Sequence, residues 1–201
     1  MKLAFCLLLA YLLGGVPFGL IVSNLTRGVD IRRLGSGNIG ATNVLRVIGW
    51  KAGLLVLLLD AIKGFIPVIL TRELLFPNNP LMAILAGMAA MLGHTFSPFL
   101  RFTGGRAVAA GLGVMLALSW KAAGCGFIVA FLLIFAFRYV SIGSIVGAAS
   151  LPVFMTVFNE PREYILFSLL AAALIVLRHV PNIKRLLEGT ESKIGIKKKD
   201  E

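Results

Sequence analysis

Residues 107–137 read AVAAGLGVMLALSWKAAGCGFIVAFLLIFAF, an unbroken apolar stretch with a single charge, Lys121, close to Gly124 and Gly126. A membrane span takes about 20 apolar residues to cross about 30 Å of hydrocarbon, so this stretch is either one very long helix or two short ones. The surrounding charges decide. Two spans, 107–120 and 122–137, put Arg27, Arg32, Arg33, Arg46 and Lys51 on the same side as Arg101, Arg106, Arg138 and the seven basic residues from Arg178 onward. That side then holds fifteen basic residues; the other holds Lys2, Arg72, Lys121 and Arg162. A single span would send Arg138 and the whole basic tail outward, against the rule that basic loops stay in the cytoplasm.

The remaining apolar blocks, 3–22, 52–70, 81–100, 142–158 and 164–177, complete the pattern. The expected fold is an all-α integral membrane protein: one membrane domain over residues 1–201, a bundle of seven transmembrane helices. Its N-terminus is outside, its C-terminus is cytoplasmic, and three polar loops, 26–51, 101–106 and 178–193, share the cytoplasmic face. Of the 201 residues 58% are hydrophobic and 14% charged, with a mean hydropathy of +0.92. Soluble domains carry about 25% charged residues, so a soluble fold, a disordered chain and a secreted disulfide scaffold are all excluded. Cys6 and Cys125 sit inside apolar blocks and form neither a metal set nor a disulfide framework. The formal charge of +11 belongs to loops between spans, which points to anionic lipid and substrates and away from nucleic acid. Lys2 followed by Leu3 to Leu13 resembles a signal peptide, but no small-residue cleavage site follows and the apolar run continues to Val22, so it reads as a retained span.

The chemistry lies in the loops. The first contains Gly35-Ser36-Gly37-Asn38-Ile39-Gly40-Ala41-Thr42-Asn43-Val44-Leu45-Arg46. Gly35, Gly37 and Gly40 match a dinucleotide fingerprint, yet no strand precedes them and Asp60, twenty residues on, lies in an apolar span. The physical content of the loop is a phosphate cradle. Glycines let backbone amides converge on an anion, Ser36, Asn38, Thr42 and Asn43 add neutral donors, and Arg46 adds a fixed charge. The second loop, Thr103-Gly104-Gly105-Arg106, again pairs glycines with arginine at a span boundary. The third begins Arg178-His179-Val180-Pro181-Asn182, where His179 beside a permanent cation is suited to orient or deprotonate a hydroxyl. Ser141, after Arg138, adds a hydroxyl to the same face. His94, near Thr95 and Ser97, reads as a structural hydrogen-bonding group, and Asp60 and Lys63, one turn apart within a span, as a structural pair.

Taken together these loops resemble the bacterial acyl-phosphate:glycerol-3-phosphate acyltransferase (PlsY) family. The first loop matches that family's first motif almost unbroken. The Leu-Asp-x-x-Lys-Gly pattern ending at Gly64, Gly93-His94-x-Phe96-x-Pro98, Arg138-Tyr139-Val140-Ser141, and the run through Arg178-His179, Asn182-Ile183, Arg185-Leu186-Leu187 and Gly189-Thr190-Glu191 fit in order. The second motif departs: the family's Lys-Gly-Gly-Lys is Thr103-Gly104-Gly105-Arg106 here, and its Arg-Glu after the histidine is Val180-Pro181.

The resemblance implies transfer of a fatty acyl group from acyl phosphate to the 1-hydroxyl of glycerol 3-phosphate, giving lysophosphatidate and inorganic phosphate, at the cytoplasmic face of the bacterial inner membrane. Ser36 and His179 are the expected catalytic residues. Gly35, Ser36, Gly37, Asn38, Thr42, Asn43, Arg46, Gly104, Gly105, Arg106, Ser141 and Asn182 are expected to bind phosphate, with no metal and no cofactor. The peripheral enzyme that makes acyl phosphate is the protein partner the resemblance suggests. The His-x-x-x-x-Asp pattern of other acyltransferases is absent, since Phe99 follows His94 and Lys184 follows His179 at that spacing. Catalysis by positioning and charge stabilisation is therefore expected, with the hydroxyl proton going to His179 or to a substrate phosphate. A phosphate-ester transporter would place charges near the midplane of several spans, whereas only Asp60 and Lys63 qualify. A lipid-binding scaffold would not need paired glycine loops.

Overall fold

The computed structural model describes residues 1–77 and 79–195; the tail lysines at 197–199, assigned above to the cytoplasmic side, lie outside the described residues. The chain is helical: α1 (Lys2–Gly15), α2 (Phe18–Arg27), α3 (Ala41–Val47), α4 (Trp50–Leu70), α5 (Pro80–Thr95), α6 (Val108–Leu118), α7 (Trp120–Phe137), α8 (Val140–Val157), α9 (Arg162–Arg178) and α10 (Val180–Leu187).

The stretch 107–137 does divide in two, at a different residue from the one expected. Ser119 is extended (φ −150°, ψ 99°) and its hydroxyl accepts from Ala122 N–H at 3.3 Å, which ends α6 and caps α7. Lys121 consequently belongs to the first turn of α7, and Gly124 and Gly126 continue the helix. Other boundaries shift for similar local reasons. The block 3–22 is interrupted at Pro17, which cannot donate to the helix ladder. The block 81–100 stops being α-helical at Thr95 and ends in the short turn Pro98–Leu100. The polar segments 26–51 and 178–193 are not plain loops, because they carry α3 and α10.

By length and apolar composition, Lys2–Arg27, Trp50–Leu75, Trp120–Phe137 and Val140–Val157 can each cross a membrane. Arg162–Arg178 and Val180–Leu187, bent by 55° at their junction, pass the same test only when taken together as one span. Pro80–Thr95 and Val108–Leu118 are apolar but shorter; α6 alone covers about 16 Å, roughly half of the hydrocarbon thickness.

Close packing of backbones sets α6 against α4. A Cβ at Gly64 would run into the Ala110 carbonyl, and one at Gly113 into the Ala61 carbonyl, the small-residue contact by which membrane helices approach. Around that crossing Val68, Met91, Val114, Met115, Met155 and Phe167 form a buried core. The outer faces stay apolar: Leu54, Leu58 and Ile62 of α4 and Phe127, Phe131 and Phe135 of α7 are all exposed, as lipid contact requires. On the inner face of α4, Lys63 Nζ lies 2.7 Å from Asp60 Oδ1 and donates to the Val16 carbonyl at 2.7 Å. The two charges are thus paired within the bundle, as their spacing implied.

Candidate active site

Asn43 builds the first loop. Its side chain is buried; Oδ1 accepts from Ser36 N–H at 2.9 Å, and Nδ2 donates to the carbonyls of Ile31, Leu34 and Asn38 at 3.2, 3.0 and 2.9 Å. Asn38 Oδ1 accepts from Gly40 N–H at 2.8 Å, and Gly37 N–H donates to Leu34 O at 3.0 Å. Gly35 and Gly37 adopt positive φ (58° and 70°), a conformation open to glycine at no steric cost. The amides of Ser36, Gly37 and Gly40 are therefore used inside the loop. Both hydrogens of Asn43 Nδ2 are engaged within the loop. What the loop offers instead are side chains: the Ser36 and Thr42 hydroxyls, Asn38 and Arg46.

These side chains open onto a cavity of about 540 Å³, which Arg106, Ser141, His179 and Glu191 also line. From this polar head the cavity runs between α4, α6, α7 and α8, past Leu57, Leu112 and Phe127, to an inner end at Met115, Ala123 and Leu151. A smaller pocket of about 280 Å³ adjoins it, bordered by Arg32, Ser36, Asn38, Thr103 and Gly104. Ser36 and Asn38 are the wall between the two. Gly105 lines neither; it packs against the His94 imidazole, where a Cβ would not fit, and its N–H donates to His94 O at 3.1 Å.

The carboxylate of Glu191 organises the third cluster. Oε1 accepts from Ser141 Oγ at 2.9 Å and from Asn182 Nδ2 at 2.7 Å, while Oε2 accepts from Arg185 Nε at 2.7 Å. Burial raises its pKa, but the hydrogen bonds from Asn182, Arg185 and Ser141 outweigh that effect and hold it below the usual carboxylate value. Ser141 and Asn182, expected to hold phosphate, thus direct their donors to Glu191. Glu191 is the residue that sequence reasoning missed; its only signal was its place in the Gly189-Thr190-Glu191 run.

Two guanidinium groups face this single carboxylate across the cavity. Arg46 Nη2 donates to Ser192 O at 2.8 Å, while its Nε is buried without a partner among the described residues. Burial pushes its pKa down, Glu191 opposes that and Arg185 adds to it. Burial likewise lowers Arg106, to about 10, with Arg185, Arg46 and Arg178 contributing, so both stay charged at neutral pH. Desolvated positive charge in excess over its counter-charge makes the head of the cavity a seat for an anion. His179 Nδ1 lies 2.8 Å from Ile175 O, so Nδ1 carries the ring proton and Nε2 is the acceptor. Burial, with Arg106 nearby, lowers its pKa to about 4, so the ring is neutral at pH 7.

Residues 4–189 match the family model described as glycerol-3-phosphate acyltransferase. The chain is 46% identical to the glycerol-3-phosphate acyltransferase of Desulforamulus reducens, over 94% of each chain. It is 47% identical to glycerol-3-phosphate acyltransferase 2 of Moorella thermoacetica, over 94% of this chain and 96% of that one. Its fold is similar to the crystal structure of PlsY (YgiH), an integral membrane glycerol 3-phosphate acyltransferase, in its glycerol 3-phosphate form. That match has a TM-score of 0.91 and 39% identity, and it covers 97% of this chain and 96% of the other. The lysophosphatidic acid form of the same protein superposes with a TM-score of 0.90. The chain belongs to the glycerol-3-phosphate acyltransferase family, and it is an integral membrane acyltransferase.

Proposed function

We propose that this protein transfers a fatty acyl group from acyl phosphate to the 1-hydroxyl of sn-glycerol 3-phosphate, releasing lysophosphatidate and inorganic phosphate. The observation that carries this reading is the pair of desolvated guanidiniums, Arg46 and Arg106, at the head of an apolar cavity that reaches into the helix bundle. A phosphorylated head with a long apolar tail matches both ends. Glycerol 3-phosphate, small and polar, suits the adjoining pocket beside Thr103 and Gly104, and Ser36 at the shared wall lies between donor and acceptor. The glycerol 3-phosphate and lysophosphatidic acid forms of the similar solved structure are in keeping with this substrate and product.

In this reading the glycerol oxygen attacks the acyl carbonyl carbon, the carbonyl-to-phosphate C–O bond breaks, and phosphate departs with the bonding electrons. Arg46 and Arg106 stabilise the charge that grows on the leaving phosphate, and Ser36 and His179 orient the reacting groups. His179 Nε2 accepts the hydrogen of the attacking hydroxyl. With its pKa held near 4, it is a poorer resting place for that proton than a substrate phosphate, since even a phosphate monoester dianion has a conjugate acid of pKa about 6. No covalent acyl-enzyme is needed, because acyl phosphate already carries a good leaving group.

The membrane placement belongs to the same proposal. Residues 1–201 form one domain crossing the inner membrane seven times, with α5 and α6 as short spans, the N-terminus outside, and the three polar clusters in the cytoplasm. The fifteen-to-four division of basic residues supports it. A cytoplasmic site also faces a peripheral enzyme supplying acyl phosphate. The test is donor choice: purified protein with glycerol 3-phosphate is given palmitoyl phosphate or palmitoyl-CoA, and lysophosphatidate is measured. Product from palmitoyl phosphate alone is expected; product from palmitoyl-CoA alone would overturn the donor assignment.

A further inference from the structure

Arg178, the last residue of α9, is half-buried and forms no ion pair with a carboxylate among the described residues. Its Nε donates to Gly105 O and its Nη2 to Gly104 O, both at 3.3 Å, and its guanidinium stacks 5.8 Å from the centre of the Phe96 ring. The planar fork of arginine suits two adjacent carbonyls in a way that a point charge does not. The opposite side of the loop is held by His94, through Gly105 N–H to His94 O at 3.1 Å and through the imidazole against the bare Gly105 Cα.

The geometry of a trans peptide turns these contacts into a constraint. The Gly104 carbonyl and the Gly105 N–H belong to one planar unit and point in opposite directions. Arg178 holds one end of that unit and His94 the other. The next carbonyl, of Gly105, is also held by Arg178, which turns the Arg106 N–H away from Arg178. Behind His94 stand Asp60 Oδ1, 3.8 Å from Nδ1, and Lys63, anchored to Val16 O. The charged pair within the bundle is thus the footing of a polar column that ends at the second loop, with Arg178 as its outer jaw.

We infer that Arg178 is a positioning residue, which clamps Gly104 and Gly105 against His94 and thereby sets the affinity of the small pocket for glycerol 3-phosphate. The inference rests on the assignment of that pocket made under the proposed function. It gives a role to a cation that otherwise reads as a membrane-boundary anchor.

The test is calorimetric titration of glycerol 3-phosphate into the purified wild-type protein, R178K, R178Q, G105A and the R178Q/G105A double variant, with melting temperatures alongside. R178Q is expected to weaken binding about ten-fold or more, because a loop displaced by a fraction of an ångström loses its aligned contacts. R178K, which keeps the charge without the fork, should recover part of that loss. In G105A the added methyl already pushes the loop off His94, so R178Q should add less than about two-fold there, the non-additivity of two residues acting on one element. Unchanged affinity in R178Q, or fully multiplied losses in the double variant, would overturn the clamp. So would a loss in R178Q that appears only with a collapsed melting transition and is not improved by lysine. Turnover with acyl phosphate is measured separately: if wild type binds glycerol 3-phosphate and R178Q binds it weakly while neither uses acyl phosphate, the clamp stands and the donor assignment falls.

Discussion

Asn182 Nδ2 donates to Glu191 Oε1 at 2.7 Å, and this bond fixes the amide with its Oδ1 buried and unpartnered among the described residues. The same carboxylate gathers Ser141 and Arg185, joining α8, α10 and the segment after α10. Glu191→Gln keeps the shape and removes the charge that balances Arg46, Arg106 and Arg185. The variant should lose about 1 kcal/mol or more of stability, because the carboxylate is buried while solvent partly screens its pairing with Arg185. Thermal unfolding in detergent checks this, and a melting curve equal to wild type would show that Glu191 is not the hub of the cluster.

Arg46→Ala removes a half-buried guanidinium whose Nε is buried without a partner among the described residues. Loss of one charge-assisted contact costs about 1.5–3 kcal/mol, or roughly one to two decades in kcat/KM. Arg106→Ala should fall in the same range, and Arg106→Lys should retain part of the activity because the charge survives while the fork is lost. Steady-state kinetics with both substrates varied will measure these effects. Near-normal constants for Arg46→Ala would take the first loop out of the site.

His179 makes a prediction about pH and stability. Its folded pKa of about 4 lies below the unfolded value near 6.5, so between these values the unfolded chain binds the extra proton. Stability should fall as pH is lowered from about 6.5 to 4, by up to about 3 kcal/mol from this residue alone. His179→Gln has no such proton to gain. Its melting temperature should therefore decline less steeply over that window than that of wild type, whatever its value at pH 7.

The inner end of the large cavity is lined by Met115, Ala123 and Leu151, of which Met115 and Ala123 are buried. Ala123→Leu projects three extra carbons into that end. In competition between lauroyl and palmitoyl phosphate, this variant should shift toward the shorter donor. A methylene in an apolar pocket is worth about 1–3 kcal/mol of discrimination, so a change of ten-fold or more is expected. An unaltered ratio would mean that the acyl tail leaves sideways between α4 and α7 instead.

Much of this was legible in the residues and some was not, for physical reasons. The apolar blocks declare membrane helices because hydropathy acts over a whole span, and the split of 107–137 followed from loop charge. The break itself was placed at Lys121, while a local cap, Ser119 on Ala122 N–H, decided it. The first loop was identified, but not the inward turn of Asn43, whose four bonds consume donors that spacing alone leaves free. Glu191 was hidden because one acid among several in a basic tail reads as solvated. Its partner Ser141 is fifty positions away, a distance that only the fold brings to contact.

The account rests on direct transfer from acyl phosphate to glycerol 3-phosphate in one site. The measurement that tests this most directly is release of inorganic phosphate from palmitoyl phosphate by the purified protein, followed with and without glycerol 3-phosphate while lysophosphatidate is quantified. The account predicts that phosphate release requires glycerol 3-phosphate and matches lysophosphatidate one for one at all times. A burst of phosphate without the acceptor, with the acyl group retained on the protein, would contradict it.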